Sequence, residues 1–268
     1  MSELLFGVHP VYEALVAQRR RVDNVYIFSR RKDRGVKRLS SLAARRGVPV
    51  AYVNGGVFKG ELKDVVHQGV AARVGGLPMA DMATLLAHRV RDRRTPLVLA
   101  PDGIVDPQNL GSIIRSAKAM GVHAVVLPKV RCAPLSAATS KASAGAMEHM
   151  RFVRVSNMVS ALQAFKKQGY WIVGATARTE LAINEADLSL PLVLVVGGEE
   201  KGVRPLVSKT CDFLVSIPQV GEVDSLNAAV AGAIVMYEVM RQKRESEKVC
   251  QRRGSGFKGS GFKVKRRR

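Results

Sequence analysis

The chain has 268 residues, 47% of them apolar, which is enough to bury the core of one large or two modest domains, so we expect a globular protein. Its 43 Lys and Arg side chains outnumber 22 Asp and Glu and give a net charge of +21, which exceeds what solubility requires and indicates a polyanionic partner, RNA or DNA. The three cysteines are too scattered for a CxxC metal site, and their odd number argues against a disulfide framework, so we expect no metal. The lack of a long apolar run argues against export and membrane insertion, so we expect a cytoplasmic protein.

Residues 1–75 predict a small α/β domain. Apolar periodicity predicts helices over HPVYEALVAQ and VKRLSSLAARRG, and apolar runs predict strands over NVYIF, VPVAYV and GVAARV. Basic residues form four clusters here, at 19–21, 30–32, 37–38 and 45–46. Such clusters can bind phosphates and release counterions, or they can form a solvated basic face. Four clusters in one small domain favour an RNA-binding surface.

A second domain is predicted over residues 95–245, after a connector at 76–94. Six apolar runs, PLVLA, AVVLP, FVRV, YWIVGA, LVLVVG and DFLVSIP, alternate with helical segments near 109–121, 157–168 and 226–245. This alternation predicts a mostly parallel sheet covered on both faces. Ligands of such sheets bind beyond the carboxyl ends of the strands.

The last segment, residues 246–268, is strongly basic and has no apolar periodicity, so we expect a disordered tail. It contains GSGFK twice, which places Phe257 and Phe262 among lysines and arginines. Phenylalanine can stack on unpaired bases while the cations follow the phosphates. A tail that only improves solubility is the alternative.

Three motifs follow predicted strands, and the first is DPQNLGSIIRSA at 106–117. It predicts an amphipathic helix with its apolar residues toward the core. Arg115 lies on the opposite face, and we expect Gly111, one turn earlier, to share that face and to leave room for a ligand. A surface arginine beside an incidental glycine is the alternative that this segment alone leaves open.

The second motif, VVGGEEKGVRP at 195–205, is a buried strand that enters a glycine-rich turn. We expect Gly197, Gly198 and Gly202 to offer free backbone amides to a ligand there. Such turns are often only structural. Glu199, at the carboxyl end of a strand, is the unusual feature.

The third motif, SIPQVGEVDSLNAAVAGAI at 216–234, joins a strand to a helix rich in alanine and glycine. Asp224 or Ser225 is expected to cap this helix. Its small side chains predict close packing, either on its own sheet or on a second copy of the chain.

Each of the three motifs contains a short pattern, and the patterns follow one another along the chain. They are N-x-G-x-x-x-R (Asn109, Gly111, Arg115), G-x-E-x-x-G (Gly197, Glu199, Gly202) and IP followed by SLN (Ile217, Pro218, Ser225, Leu226, Asn227). This set resembles the SpoU, or TrmH, family of RNA ribose 2′-O-methyltransferases. The leading domain resembles the ribosomal-protein-like substrate-binding domain of that family. The resemblance implies a trefoil-knotted α/β methyltransferase domain that forms a homodimer. It also implies methyl transfer from S-adenosylmethionine to a ribose 2′-hydroxyl of RNA, most like members that modify a guanosine of 23S rRNA.

The resemblance also implies roles for individual residues. Main-chain groups of Gly197, Ile217 and Leu226 would hold the cofactor, with Thr176 and Ala177 as further neighbours. Arg115 is the family's central catalytic position, and a guanidinium lacks the free lone pair that a general base needs. We therefore expect it to bind the phosphate beside the target ribose and to stabilise the developing alkoxide. The residues expected to orient Arg115 and the nucleotide are Asn109, Glu199, Ser225 and Asn227.

Two other functions are compatible with the same motifs. One is a methyltransferase of this fold that acts on tRNA or on a base atom, and the other is a non-catalytic RNA-binding factor for ribosome assembly. The polar residues of the motifs favour catalysis, and the leading domain favours rRNA over tRNA by analogy.

Overall fold

The computed structural model describes residues 2–87, 96–177, 179–199, 202–221 and 225–254. These residues form two β-sheets with helices packed on them. The first sheet has four strands: β1 (Ser2–Phe6), β2 (Val22–Phe28), β3 (Val50–Val53) and β4 (Val70–Gly75). Their spatial order is β1-β4-β2-β3, with β4 antiparallel to both neighbours and β2 parallel to β3. The sequence predicted every strand except β1.

Two helices cover one face of this sheet, α1 (Val8–Ala17) and α2 (Arg34–Arg45). The Asp33 carboxylate caps α2 by accepting a hydrogen bond from the Val36 amide at 3.1 Å. Apolar side chains of both helices pack on the sheet, among them Leu15 and Leu39. The opposite side of α2 is exposed and carries four basic side chains, Arg34, Lys37, Arg38 and Arg45.

The second sheet has six parallel strands: β5 (Leu97–Asp102), β6 (Ala124–Pro128), β7 (Phe152–Val155), β8 (Trp171–Ala175), β9 (Leu192–Gly197) and β10 (Phe213–Val215). Their order is β10-β8-β9-β5-β6-β7, so β9 lies between strands that precede it in the chain. All six were predicted from their apolar runs. The findings confirm the α/β class with a parallel sheet.

Helices cover both faces of this sheet: α3 (Met82–Ala87), α4 (Pro107–Ala119), α6 (Met158–Lys167), α7 (Pro205–Thr210) and α8 (Ala228–Gly254). Helix α5 (Ala137–Ala142) packs on α4 instead of on the sheet. Residues of α4 and α8 form the core on one face, and residues of α3, α6 and α7 form it on the other. The sequence predicted α4, α6 and α8. No helix in the described part of the chain is both long and apolar enough to cross a membrane.

The connector and the tail differ from the prediction. The connector at 76–94 contains α3, whose Leu85 is buried against the second sheet, and the Ala80 amide donates to the Phe152 carbonyl at 2.8 Å. Helix α8 continues to Gly254, so residues 246–254 of the predicted tail are helical. Residues 255–268, with both phenylalanines of the GSGFK repeats, lie outside the described residues.

The basic cluster at 19–21 was wrongly interpreted as part of a phosphate-binding surface. Arg20 is buried and forms an ion pair with Glu148 of the second domain. Arg19 donates to the Met150 carbonyl of the same segment. Only Arg21 of this cluster is largely exposed. Arginines that bind across the domain boundary are not available for RNA.

The prediction that Gly111 faces a ligand was also wrong. Gly111 is buried, and a Cβ atom built on it would lie 2.4 Å from the Ala142 Cβ and 2.8 Å from the Thr139 carbonyl oxygen. Both residues belong to α5. The glycine therefore permits close packing of α4 on α5, whereas Arg115 is exposed as predicted.

Candidate active site

A pocket of about 550 Å³ lies beyond the carboxyl ends of β8, β9 and β10. This is the edge of a parallel α/β sheet at which ligands bind, and the volume falls in the usual range for small-molecule sites. Its walls combine small or apolar residues with a few polar ones: Ala175, Thr176, Ala177, Val196, Gly197, Gly198, Glu199, Gly202, Val203, Pro205, Ser208, Val215, Ile217, Gln219, Ser225, Leu226, Ala228 and Ala231.

The glycine-rich turn forms one wall of the pocket and folds tightly on itself. A Cβ on Gly197 would lie 2.1 Å from the Gly202 carbonyl carbon, so this position admits only glycine. The Gly198 amide donates to the Asp102 carbonyl at 3.0 Å, and the Gly202 amide donates to the Gly198 carbonyl at 2.9 Å. The prediction that these two amides are free was wrong, because the turn uses them for its own structure.

Asp102 and Arg204 hold the base of the turn, and the sequence analysis missed both. The Asp102 carboxylate is fully buried at the end of β5 and accepts from the Arg204 amide at 2.9 Å and from its Nε at 2.8 Å. A buried carboxylate with one charged partner is costly to leave unpaired. The signal in the sequence was an acidic residue that ends a wholly apolar strand, LVLAPD.

One hydrogen-bonded group, the Asn–Glu–Asn cluster (Asn109, Glu199 and Asn227), joins the three motifs at the rim of the pocket. The Asn109 Nδ2 donates to the Glu199 Oε1 at 3.2 Å. The Asn227 Nδ2 donates to the Asn109 Oδ1 at 3.0 Å and also to the Glu199 Oε1. Residues from α4, the turn after β9 and the start of α8 therefore meet at one point.

Helix capping fixes two members of this cluster. Asn227 caps α8, since its Oδ1 accepts from the amides of Ala229 and Val230 at 2.9 and 3.3 Å. The cap is thus neither Asp224, which lies outside the described residues, nor Ser225. Asp106 caps α4, and its carboxylate accepts from the Asn109 amide at 2.9 Å. Rigid helix starts hold both asparagines in place.

The structure places all five predicted cofactor neighbours on the pocket wall: Gly197, Ile217, Leu226, Thr176 and Ala177. The side chains of the first three have no polar atom, so any polar contact they make must come from the main chain. Ser225 also lines the pocket. This wall suits a ligand with an apolar ring and several main-chain hydrogen bonds.

Arg115 does not line the pocket of its own chain. It follows Asn109 on α4 by six residues, which is about 9 Å along the axis and about 120° around it. Within the described residues, no hydrogen bond or ion pair involves its guanidinium, which is exposed. The arginine is therefore available to an external anion.

Two cysteines of the second domain are poor nucleophiles. Burial raises the pKa of the Cys132 and Cys211 thiols to about 11. Both stay protonated at neutral pH, and neither lines the pocket. A reaction that begins with thiolate attack on a base has no support from these two residues.

Comparison with known proteins gives matches to two family models. Residues 96–237 match the SpoU rRNA Methylase family, and residues 4–80 match the model described as RNA 2′-O ribose methyltransferase substrate binding.

Relatives and solved structures agree with these matches. The chain is 37% identical to the 23S rRNA (guanosine-2′-O-)-methyltransferase RlmB of Pseudomonas aeruginosa, over 91% of this chain and 98% of the relative. It is 35% identical to the protein of the same name from Photorhabdus laumondii, over 91% and 99%. The crystal structure of the SpoU methyltransferase AviRb from Streptomyces viridochromogenes, in complex with AdoMet, has a similar fold, with a TM-score of 0.74, 24% identity and 91% of each chain covered.

Proposed function

The chain belongs to the SpoU rRNA methylase family, and on that premise we propose that it transfers a methyl group from S-adenosylmethionine to a ribose 2′-hydroxyl of RNA, with a guanosine of 23S rRNA as the target. The observation that carries the proposal is the Asn–Glu–Asn cluster at the rim of the strand-end pocket. It brings together one polar residue from each of the three motifs beside a cavity of cofactor size. An rRNA substrate agrees with the cytoplasmic location that the composition predicts.

The pocket fits S-adenosylmethionine by shape and by chemistry. Gly197, Ile217 and Leu226 would hold the cofactor through main-chain groups, with Thr176 and Ala177 beside it. Small residues leave room for the adenine ring between apolar walls. When bound, the cofactor supplies an electrophilic methyl group on a sulfonium. The Glu199 carboxylate, which also lines the pocket, adds negative charge that favours a cationic ligand.

The residues of the chain then have to position the ribose and stabilise its oxygen. Asn109 and Asn227 hold the Glu199 carboxylate at the pocket rim and orient the nucleotide that enters there. Arg115 binds the adjacent phosphate and stabilises the negative charge that develops on O2′ as its proton leaves. Because a guanidinium stays protonated, the proton passes to the RNA phosphate, to a carboxylate or to water.

We further propose that a homodimer completes the site. Arg115 is exposed and does not line the pocket of its own chain, and α8 exposes Val230 and Tyr237 seven residues apart on one face. Tyrosine and valine on such a face suit burial against a second copy. A two-fold axis beside α4 and α8 would bring Arg115 of each chain toward the pocket of the other.

Mixed dimers test this arrangement. Arg115→Ala and Glu199→Gln should each be inactive alone. In a random mixture, half the dimers combine the two variants, and each such dimer has one site with both native residues. Activity should recover to about a quarter of wild type. No recovery, with dimers confirmed by sedimentation, would show that both residues act within one chain. The trefoil knot that the resemblance implies stays a prediction.

The exposed face of α2 is the RNA-binding surface that we propose for the first domain. Arg34, Lys37, Arg38 and Arg45 lie within one stripe of the helix, and none of them is buried. Lys37→Ala with Arg45→Ala should lower RNA affinity and reduce the salt dependence of binding by up to about two phosphate contacts. Lys167→Ala, an exposed lysine at the end of α6, is the matched control and should change neither.

Calorimetry with S-adenosylmethionine separates catalysis from simple RNA binding. The enzyme should bind the cofactor with measurable heat, and a non-catalytic assembly factor should show none. Leu226→Glu places a charged side chain on the apolar wall and should abolish the heat without unfolding the protein. Retained cofactor binding in this variant would mean that the cofactor binds elsewhere.

A further inference from the structure

A buried ion pair joins the two domains. The Arg20 guanidinium donates to Glu148 in a bidentate arrangement, from Nε to Oε2 at 2.8 Å and from Nη2 to Oε1 at 2.6 Å. Both side chains are only 1% exposed. Arg20 precedes β2 of the first domain, and Glu148 lies in a 3-10 turn of the second domain, Ala146–His149. The two residues are 128 positions apart in the chain.

Further groups complete the hydrogen bonding of this pair. The Ser140 hydroxyl of α5 donates to the Glu148 Oε1 at 2.9 Å. Glu3 of β1 accepts from the Arg20 Nη1. The Gly75 carbonyl accepts from the same nitrogen at 3.4 Å. We call Arg20, Glu148, Ser140 and Glu3 the interdomain cluster.

Contacts on either side of the cluster cross the same boundary. His149 forms a hydrogen bond with Glu13 of α1 at 2.7 Å, and Arg19 donates to the Met150 carbonyl. Gly145 has a positive φ of 83°, and a Cβ there would lie 2.7 Å from the Glu13 Cβ. Ala137 of α5 packs against both apolar clusters of the first domain. The contact is therefore continuous and closely packed.

A buried ion pair is an expensive way to hold two surfaces together, because apolar side chains of similar volume are often as stabilising. Its directional hydrogen bonds instead favour one relative orientation, since any rotation leaves buried charges unpaired. The boundary also reaches the catalytic helix. Helix α5 carries Ser140 on the side of the cluster and packs on Gly111 of α4, the helix of Asn109 and Arg115.

We propose that the interdomain cluster fixes the orientation of the RNA-binding domain, so that RNA held on α2 presents one ribose to the pocket. This inference rests on the proposed methyltransferase function. Arg20 and Glu148 are then positioning residues, which touch neither RNA nor cofactor. Their loss should weaken productive RNA binding and leave the pocket intact.

Glu148→Gln removes the charge but keeps the shape, and Arg20→Lys removes the bidentate geometry. For both variants we expect the KM for RNA to rise at least tenfold, while the Kd for S-adenosylmethionine changes by less than twofold. Glu61→Gln is the matched control, because it removes an exposed acid that pairs with Arg73 at 2.9 Å inside the first domain. It should leave both constants within twofold of wild type.

A merely structural role would give a different pattern. Partial unfolding lowers the active fraction, so that kcat and the amount of cofactor bound fall together while KM stays the same. The double variant Arg20→Met with Glu148→Met covers the case in which a single variant does not fold, because it replaces the pair with apolar side chains. We expect it to melt at or above the wild-type temperature and still to show the raised KM. A wild-type KM in this folded variant would overturn the proposal.

Hydrogen exchange on the full chain measures how firmly the contact between the domains is held. In Glu148→Gln, amides of α1 and of residues 145–150 should exchange faster, and those of β9 should not change. Unchanged exchange at the boundary would also overturn the proposal. If the wild-type protein methylates no RNA, the proposed function fails and the exchange result still reports on the domain contact. If it methylates RNA and the variants keep a wild-type KM, only the present inference fails.

Discussion

The contact between α4 and α5 gives a quantitative prediction at Gly111. Gly111→Ala places a Cβ 2.4 Å from the Ala142 Cβ and 2.9 Å from the Ser143 amide nitrogen, although carbon atoms pack best at about 3.5 to 4.0 Å. The backbone of α5 would have to move by on the order of 1 Å. Such overpacking costs about 1 to 3 kcal/mol, and two of the three contacts are with backbone atoms, which cannot turn away, so we take the upper part of that range, about 2 to 3 kcal/mol. The higher helix propensity of alanine returns about 1 kcal/mol. We expect a net loss of about 1 to 2 kcal/mol in the free energy of unfolding.

Gly232 of α8 is the matched control, because it is also a buried glycine inside a helix. A Cβ there would lie 3.5 Å from the nearest atoms of Ile113 and Val196, which is an ordinary van der Waals contact. Gly232→Ala should therefore be neutral or stabilise by up to about 1 kcal/mol. The two alanine variants should differ by about 2 kcal/mol.

Urea unfolding followed by tryptophan fluorescence measures this difference. The chain has one tryptophan, Trp171 of β8, so the signal reports on the second domain. The reasoning is refuted if Gly111→Ala is as stable as wild type, or if both alanine variants lose the same free energy.

Three further predictions concern single side chains. Arg115→Lys should lower kcat at least about 100-fold with unchanged cofactor affinity, because lysine lacks the planar fork; near-normal turnover and RNA affinity would contradict this role. Arg204→Met leaves the buried Asp102 carboxylate unpaired and should cost about 3 kcal/mol in urea unfolding, so a loss below about 1 kcal/mol would count against the pairing. Burial lowers the pKa of Lys243 to about 7, so the unfolded chain binds more protons between pH 7 and 10.5 and stability rises with pH in that window. Lys243→Met should therefore raise the free energy of unfolding most below pH 7, and this gain over wild type should shrink by about 2 kcal/mol from pH 7 to 9. A gain that does not change with pH would be inconsistent with the cost of burying the lysine charge.

Much of the second domain could be predicted because short stretches of its sequence are enough to mark its strands. Each parallel strand is a continuous apolar run, and the carboxyl ends of these strands meet at one edge. That is why three distant segments could be assigned to one site before any coordinates. The individual residues Asn109, Glu199 and Asn227 came from the resemblance to the SpoU family. The structure brings these three together by direct hydrogen bonds.

Features that depend on a distant partner could not be predicted. Helix α5 has the sequence AATSKA and buries Thr139 and Ser140, so it lacks the apolar periodicity that marks a helix. Strand β1 is short and begins with two polar residues, which hides its pairing with β4.

The same limit explains the wrong interpretations. An arginine in a basic cluster looks exposed until its partner is known, and the partner of Arg20 is 128 residues away. A glycine before an outward arginine suggests a ligand, but Gly111 makes room for α5. The local sequence shows which residue types are present at a position, but it does not show which distant residue contacts them.

The identity of the methylated atom tests the central claim most directly. The full-length protein is incubated with methyl-labelled S-adenosylmethionine and with 23S rRNA or tRNA from cells that lack the gene, and the digested RNA is analysed by mass spectrometry. The account predicts one 2′-O-methylguanosine for each 23S rRNA molecule. A methyl group on a base, label in tRNA alone, or no transfer to any RNA would contradict it.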